Sequence, residues 1–350
     1  MILDQVPLPV VLAPLAGGPS TPELTAAVTD AGGLGFLAGG YLSAPELARR
    51  LARTRELTQR PIAVNLFAVP EHPDAGGAVE RYAARVRPDA ATVDAEPGPA
   101  SFDDDDWDAK VDLLCSTPVP AVSFTFGLPG RSVVDRLHEA GSEVWVTVSR
   151  PDDAVRAQGV GADLLVAQGL EAGGHRGGLD DDPTTAIGLL PLLQLLREVT
   201  DLPLVATGGI ATGRGVAAVL AAGARAAALG TAFLDCPEAG TSAVHRDALY
   251  GDGPTAFTRA FTGRTARGIR NAFMDAHGAD APAAYPELHH VTAPMRKAAR
   301  ERGEPGLVNL WAGQTYPLTR SVPAGQLVRR LAAEAEDSLR AAALLLGEPG

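Results

Sequence analysis

Cysteine is nearly absent from this sequence. Its two thiols, Cys115 and Cys236, cannot build a disulfide framework and lack the paired spacing of a zinc site. Both read as ordinary buried or half-buried thiols, at home in a reducing compartment. Basic charge is short as well: 30 Lys and Arg against 42 Asp and Glu leave a formal net charge of −12. With no basic stripe to neutralise phosphates, a nucleic-acid partner is excluded and an anionic membrane surface is disfavoured. Aromatic residues make up only 5%, which suits closely packed helices and strands joined by tight turns. Long apolar runs are missing too. The most apolar stretch, Ile187 to Leu196, contains Pro191 and Gln194 and is too short to span a bilayer. The first residues, Met-Ile-Leu-Asp-Gln, have neither the positive region nor the apolar stretch of a signal peptide. A soluble cytoplasmic protein is the expectation.

What is present is enough for a large core. The hydrophobic share is 46% and the charged share 21% over 350 residues, a length that suits one α/β barrel or two smaller domains. One stretch gathers chemistry. Asp163 to Val166 is an apolar run that reads as a buried strand, and Gln168, Glu171, Gly173, Gly174, His175 and Arg176 follow within nine positions. Glycines let a backbone approach a ligand closely and take positive φ. An imidazole between glycine pairs has no packing from its neighbours, so a ligand or other loops must hold it.

Strand-like and helix-like segments alternate along the chain. The predicted strands are Pro9 to Leu15, Leu34 to Ala38, Ile62 to Ala68, Ala121 to Phe126, Val144 to Val148, Asp163 to Ala167, Leu202 to Ala206 and Ala226 to Leu229. Between them, Thr21 before Pro22 and Ser43 read as helix N-caps, and Thr184 to Thr200 as a long helix. The weak-pattern stretch Val69 to Asp112 holds a helix near Val79 to Val86 and the acid run Asp103 to Asp106. That run reads as a solvated loop or helix start. Four successive carboxylates point in different directions, whereas a hard-cation loop interleaves its oxygens around a glycine turn; no metal site is expected. From about Gly251 the chain becomes an appendix: a basic loop (259–270) with Arg259, Arg264, Arg267 and Arg270, then a proline-rich linker and two closing helices.

Eight strand-then-helix units with near-continuous apolar strands predict a (β/α)8 TIM barrel over 1–250. Residues 251–350 form a C-terminal helical extension packed on it in the same structural unit. The rival, a doubly wound sheet, would want a glycine fingerprint after its first strand, but the glycines cluster after strands six, seven and eight. A barrel brings all strand ends to one face. That convergence gathers Ala13-Pro14-Leu15, Asn65, Thr125, Gln168, His175, Gly208-Gly209 and Gly230-Thr231 around one cavity. The last two pairs sit where this fold cradles phosphate, with loop N–H groups and a helix N-terminus meeting an anion. Asn65 and Gln168 each carry a donor and an acceptor suited to the edge of a flat heteroaromatic ring, and the set describes a site for FMN. Each piece also has a plainer reading. Asn65 could bond neighbouring backbone, Gln168 could cap its own loop, and Glu171 could orient a neighbour or only solvate. Arg176 reads as a loop anchor or a solvent-facing charge. His72, His138, His245, His277, His289 and His290 read as structural.

Several stretches together resemble the nitronate monooxygenase family, once called 2-nitropropane dioxygenases, which are FMN-dependent TIM barrels. They are Ala13 to Pro22, Asn65-Leu66-Phe67, Gln168 to Gly177, Ala206 to Gly215, Gly230 to Leu234 and Gly263 to Gly268. The resemblance implies FMN contacts at Ala13, Pro14, Leu15, Asn65, Gln168, Gly173 with Gly174, Gly208 with Gly209, and the Ala228 to Thr231 loop with Gly230. It also implies that His175 faces the substrate. Many relatives carry Met in place of Leu15 and Gln in place of Ala228, and some carry a second histidine in place of Thr125. The activity implied is oxidation of alkyl nitronates, with nitroalkanes as further candidates, to carbonyl compounds and nitrite using O₂. A homodimer is the assembly to test. Two other readings share the barrel: an NAD(P)H-dependent FMN reductase of enoyl thioesters or quinones, and a flavin-free sugar-phosphate isomerase.

Overall fold

The computed structural model describes residues 1–69, 77–345 and 347; His72 lies outside the described residues. Eight parallel strands form the barrel: β1 Val10–Leu12, β2 Phe36–Ala38, β3 Ala63–Phe67, β4 Ala121–Thr125, β5 Glu143–Val148, β6 Leu164–Gln168, β8 Leu204–Thr207 and β9 Ala226–Leu229. They are ordered β1-β9-β8-β6-β5-β4-β3-β2. The ring closes where Leu12 N donates to Leu34 O at 2.9 Å and Leu34 N to Val10 O at 3.0 Å. All eight predicted strands are present; the last has the predicted bounds, Ala226–Leu229, and the others differ by one to a few residues at their ends.

The barrel interior is filled by Val11, Phe36, Trp145, Leu164 and Val205 together with small Ala63, Ala121 and Ala226. The opening opposite the site is sealed by Ile2. Its amide donates to Glu143 Oε1 at 2.6 Å, while Glu143 Oε2 takes the Trp145 indole N–H at 3.0 Å. A second, larger apolar layer lies between strands and helices.

The helices are α1 Pro22–Asp30, α2 Ala44–Leu57, α3 Ala78–Thr92, α4 Trp107–Ser116, α5 Arg131–Glu139, α6 Pro151–Val160, α7 Leu189–Arg197, α8 Gly213–Ala221, α9 Ala243–Ala248, α10 Ala272–His277, α11 Glu287–Arg302 and α12 Ala324–Leu345. Thr21 caps α1, accepting from Leu24 N at 2.9 Å, and Ser43 forms a capping box with Glu46. The long helix expected over 184–200 is instead a 3-10 turn, Pro183–Thr185, followed by the shorter α7. Gly188 holds extended backbone, and both carboxylate oxygens of Glu171 take the Leu189 amide at 3.1 Å. Glu171 therefore starts α7 from another loop, where a negative charge also meets the positive helix end.

The acid run does begin a helix, but it is not simply solvated. Asp105 pairs with the buried Lys110 at 2.7 Å and accepts the Tyr41 amide at 2.8 Å, while Asp106 accepts the Ala44 amide at 2.7 Å. Burial raises the Asp105 carboxyl to about 6, against the pull of Lys110.

The appendix departs most from expectation. The basic loop is a hairpin, β10 Thr255–Thr258 with β11 Ala266–Ile269. Its second strand pairs antiparallel with a two-residue strand, β7 Gly174–His175, in the register Ala266↔His175 and Arg267↔Gly174. Helix α12 packs on α8 and α1 in the outer ring of the barrel. The remaining C-terminal elements share a core with α3, in which Phe261, Phe273, Met295 and Tyr316 meet Val79, Tyr82 and Val86. Among the described residues no helix is long and apolar enough to cross a membrane.

Candidate active site

The strand ends open into a chamber of about 490 Å³, within the range of small-molecule sites. Every site residue expected from the sequence lines it: Ala13, Pro14 and Leu15, Asn65, Gln168, Gly173 to His175, Gly208 and Gly209, and Gly230 and Thr231. Thr125 lines it as well.

Asn65 is 1% exposed and satisfied by side chains rather than by neighbouring backbone alone. Its Nδ2 donates to Ser123 Oγ at 2.9 Å and Thr125 Oγ1 at 2.8 Å, with the Ser123 carbonyl at 3.2 Å. Gln168 takes the plainer of its two readings. Its Nε2 donates to His175 O at 3.1 Å and its Oε1 accepts from Gly177 N at 2.8 Å. The amide thus clamps the glycine loop and sets where His175 leaves it.

The cradle is made of loops. Gly208 and Gly209 have φ of +114° and +66°, conformations that L side chains rarely adopt. Helix α8 does not contribute its N-terminus to the chamber. Thr212 Oγ1 takes the Gly215 amide at 3.2 Å and Glu334 of α12 takes the Gly213 amide at 3.0 Å. That helix end is already capped and faces a carboxylate, which leaves the amides around Gly208-Gly209 and Gly230-Thr231 for an anion. Thr231 Oγ1 accepts the Gly313 amide at 3.0 Å and ties this loop to the C-terminal segment.

His175 stands among Phe126, Trp311 and Tyr285, with ring centroids 5.4, 5.5 and 5.8 Å away. Burial, with Arg264 adding to it, pushes its pKa from 6.5 down to about 3. The imidazole is therefore neutral at physiological pH. Its Nε2 lies 2.9 Å from Thr262 Oγ1, and that hydroxyl donates onward to Arg264 O at 3.3 Å. A hydroxyl that spends its proton on a carbonyl can only accept from the ring. This chain of bonds assigns the proton to Nε2 and leaves Nδ1 with the free lone pair.

Arg176 is neither solvent-facing nor in the chamber; it is 4% exposed, and its amide donates to Thr265 O at 2.9 Å. Arg264, also buried, lies 4.5 Å over the Phe126 ring and donates to Arg176 O at 3.0 Å.

The sequence reading missed the chamber's roof. Tyr41, with φ of +64°, stacks flat on His289 (4.1 Å, 7°). His289, His245, Arg296, Arg300, Asn309 and Trp311 all line the chamber from the C-terminal region. His289 and His245 therefore border the site rather than only supporting the tail. Asn309-Leu310-Trp311-Ala312-Gly313 was the available signal, because it sets an amide, an indole and a glycine together. No Asp or Glu lines the chamber among the described residues, although the chain carries a net charge of −12. The cavity is neutral to positive inside an acidic protein.

Three imidazoles are held below their ordinary pKa chiefly by burial: His175 near 3, His245 near 4 and His289 well below 6.5. The unfolded chain then binds more protons than the folded one below about pH 6.5, so stability falls as the pH falls. Between pH 6.5 and 5 His175 and His245 each contribute roughly 2 kcal/mol of loss, and His289 acts in the same direction. Asp105, raised to about 6, acts in the opposite sense but is one group against three. Melting temperatures at pH 7 and pH 5 are expected to differ by several degrees, with the lower value at pH 5. Equal values would mean that solvent protons reach these rings in the folded state.

Comparison with known proteins gives a consistent picture. A family model described as nitronate monooxygenase matches residues 3–334. The chain is 41% identical to a nitronate monooxygenase of Pseudomonas aeruginosa over 341 residues, covering 93% of this chain and 95% of that one. The solved structure of a nitroalkane oxidase from Streptomyces ansochromogenes superposes with a TM-score of 0.94 at 48% identity, covering 97% of this chain and 99% of that one. FabK from Thermotoga maritima, at 24% identity and a TM-score of 0.77 over 98% and 97% of the two chains, shares the fold.

Proposed function

The chain belongs to the nitronate monooxygenase family, and from that premise we propose that its chamber binds FMN and oxidises alkyl nitronates to carbonyl compounds and nitrite with O₂. The observation that carries this reading is the pairing of an acid-free chamber with a neutral imidazole at its wall. The residues present fit the cofactor. Glycine loops without side chains offer backbone N–H groups to a phosphate, and among the described residues no carboxylate lies in the lining to repel it. Gly208, Gly209, Gly230 and Thr231 would hold the phosphate, while Ala13 to Leu15, Asn65, Gln168, Gly173 and Gly174 would border the ring. FMN, when bound, supplies the electron acceptor and the oxygen chemistry.

The chain's own part is proton handling, orientation and exclusion of water. With its proton on Nε2 held by Thr262, His175 has Nδ1 free to take the α-proton of a neutral nitroalkane. Because the ring stays neutral, it offers no full charge to a nitronate. Phe126, Tyr285 and Trp311 pack around the ring and fix where it stands. Replacing Thr262 by valine is expected to lower kcat/KM for nitroalkanes about 10-fold, since one tautomer-fixing hydrogen bond is lost. Serine at that position should restore most of it, and equal activity in the valine and serine variants would remove Thr262 from the assignment.

The direct test is a visible spectrum of purified protein, followed by nitrite release from propane-2-nitronate in air. A colourless protein that gains no flavin band with added FMN ends the proposal. Rapid anaerobic bleaching of bound flavin by NADPH or NADH, but not by the nitronate, would point to a reductase instead.

A further inference from the structure

Helix α11 places a buried guanidinium on the chamber wall with no carboxylate opposite it among the described residues. Arg296 is 4% exposed and lines the chamber together with Arg300. Its hydrogen bonds go to neutral partners: Nε to Thr292 Oγ1 at 3.0 Å, one terminal nitrogen to Asn309 Oδ1 at 3.4 Å, and the other to His289 O at 2.9 Å and Nδ1 at 3.3 Å. Arg300 shares the same acceptor, Asn309 Oδ1, at 3.3 Å. The groups acting on Arg296 are Tyr41, Tyr285 and Arg300, none of them an acid; burial lowers its pKa to about 10, which leaves it cationic. By contrast, buried Lys110 has Asp105 at 2.7 Å, and Arg264, although hydrogen-bonded to carbonyls, feels the charge of Asp181. An unpaired buried charge is costly. A ligand that brings its own negative charge would remove that cost.

Resting on the nitronate reading above, we infer that Arg296, assisted by Arg300, is the anion pole of the substrate compartment and selects the anionic nitronate over the neutral nitroalkane. The two forms have nearly the same shape and differ by one charge, which a nitronate spreads over two coplanar oxygens. A guanidinium fork matches that pair as it matches a carboxylate. His175 cannot perform this selection, because it is neutral and differs little in its attraction for the two forms. Of Arg296's five N–H groups, the four bonds above use four and leave one on the nitrogen shared with Asn309. Arg300 adds a second positive charge beside it.

The test uses the FMN-loaded protein, with nitrite release measured for propane-2-nitronate and for 2-nitropropane, and FMN affinity measured alongside. Arg296→Met is expected to raise KM for the nitronate by about 10- to 100-fold. The nitroalkane KM and the FMN Kd should stay near the parental values, and Arg296→Lys should recover part of the loss. Unchanged nitronate KM overturns the inference. So does a weakened FMN Kd with the nitronate KM intact, which would assign the cations to the flavin phosphate. Because Arg296 is buried, two further measurements stand beside it. Arg300→Gln should raise the nitronate KM by a smaller factor, and nitrate, a planar monoanion, should compete with the nitronate on the parental protein. Failure of both overturns the inference even if Arg296→Met does not fold. A parental protein that holds FMN yet releases no nitrite refutes the nitronate reading itself, before any arginine is varied.

Discussion

Asparagine in place of His175 is expected to slow nitrite release from neutral nitroalkanes by about 10²-fold, the low end for a positioned general base, because burial makes this imidazole a weak one. The carboxamide ends near the native Nδ1 position, short of the Nε2 that lies 2.9 Å from Thr262 Oγ1, and it has no basic nitrogen. Nitronates have already lost the α-proton, so their oxidation should fall by a much smaller factor. That asymmetry is the informative part. A structural role for the ring, packed against Phe126, Trp311 and Tyr285, would depress both substrates alike and lower the melting temperature. Parental rates on nitroalkanes would remove His175 from the mechanism. The pH profile adds a second check. With the imidazole pKa near 3, kcat on nitroalkanes should show no acidic limb from this group above pH 5, whereas a base titrating near 6.5 would produce one.

The second large effect is expected at Gly173. A Cβ there would sit 2.4 Å from both the Ala312 carbonyl carbon and the Gly313 nitrogen, and backbone atoms cannot swing aside. Gly313 is bonded to Thr231, so the displacement reaches the cradle loop as well. Gly173→Ala should cost about 1–3 kcal/mol of stability, the range for overpacking. Retention of FMN through gel filtration should be lost with it. Gly174→Ala is the matched control. That residue has φ of +74° with nothing within 4 Å of the added carbon. It bears the left-handed backbone cost of about 1–2 kcal/mol and leaves the contact with 312–313 intact. If the Gly173 variant retains FMN as firmly as the parental protein, the contact between the glycine loop and 312–313 is not what shapes the chamber.

Much of the architecture was legible because it depends on local pattern. Continuous apolar runs such as Val144 to Val148 can only be strands buried on both faces, and Thr21 and Ser43 announce their helices through side-chain chemistry alone. The chamber's floor followed from the same logic, since parallel strands deliver their ends to one rim. What escaped was non-local. A two-residue strand at Gly174–His175 has no signal of its own and exists only because Ala266 and Arg267 lie alongside it. The hairpin carrying those residues reads as a basic loop because its arginines are exposed by type, yet Arg264 and Arg267 are each 5% exposed. His289 and Arg296 sit in a charge-rich helix where nothing in the spacing separates a chamber-lining residue from a solvated one.

The order of residues alone determined eight strands, their parallel arrangement and the gathering of Asn65, Gln168, His175 and the paired glycines at one end. Those follow from hydrophobic period and glycine placement, which act over a few residues. Tertiary structure alone decided the electrical state of that end. The neutrality of His175, the capping of α8 by Glu334 and the unpaired charge of Arg296 arise from segments far apart in the chain. Solvation and Coulomb energies depend on distance in space, and no local pattern carries that distance.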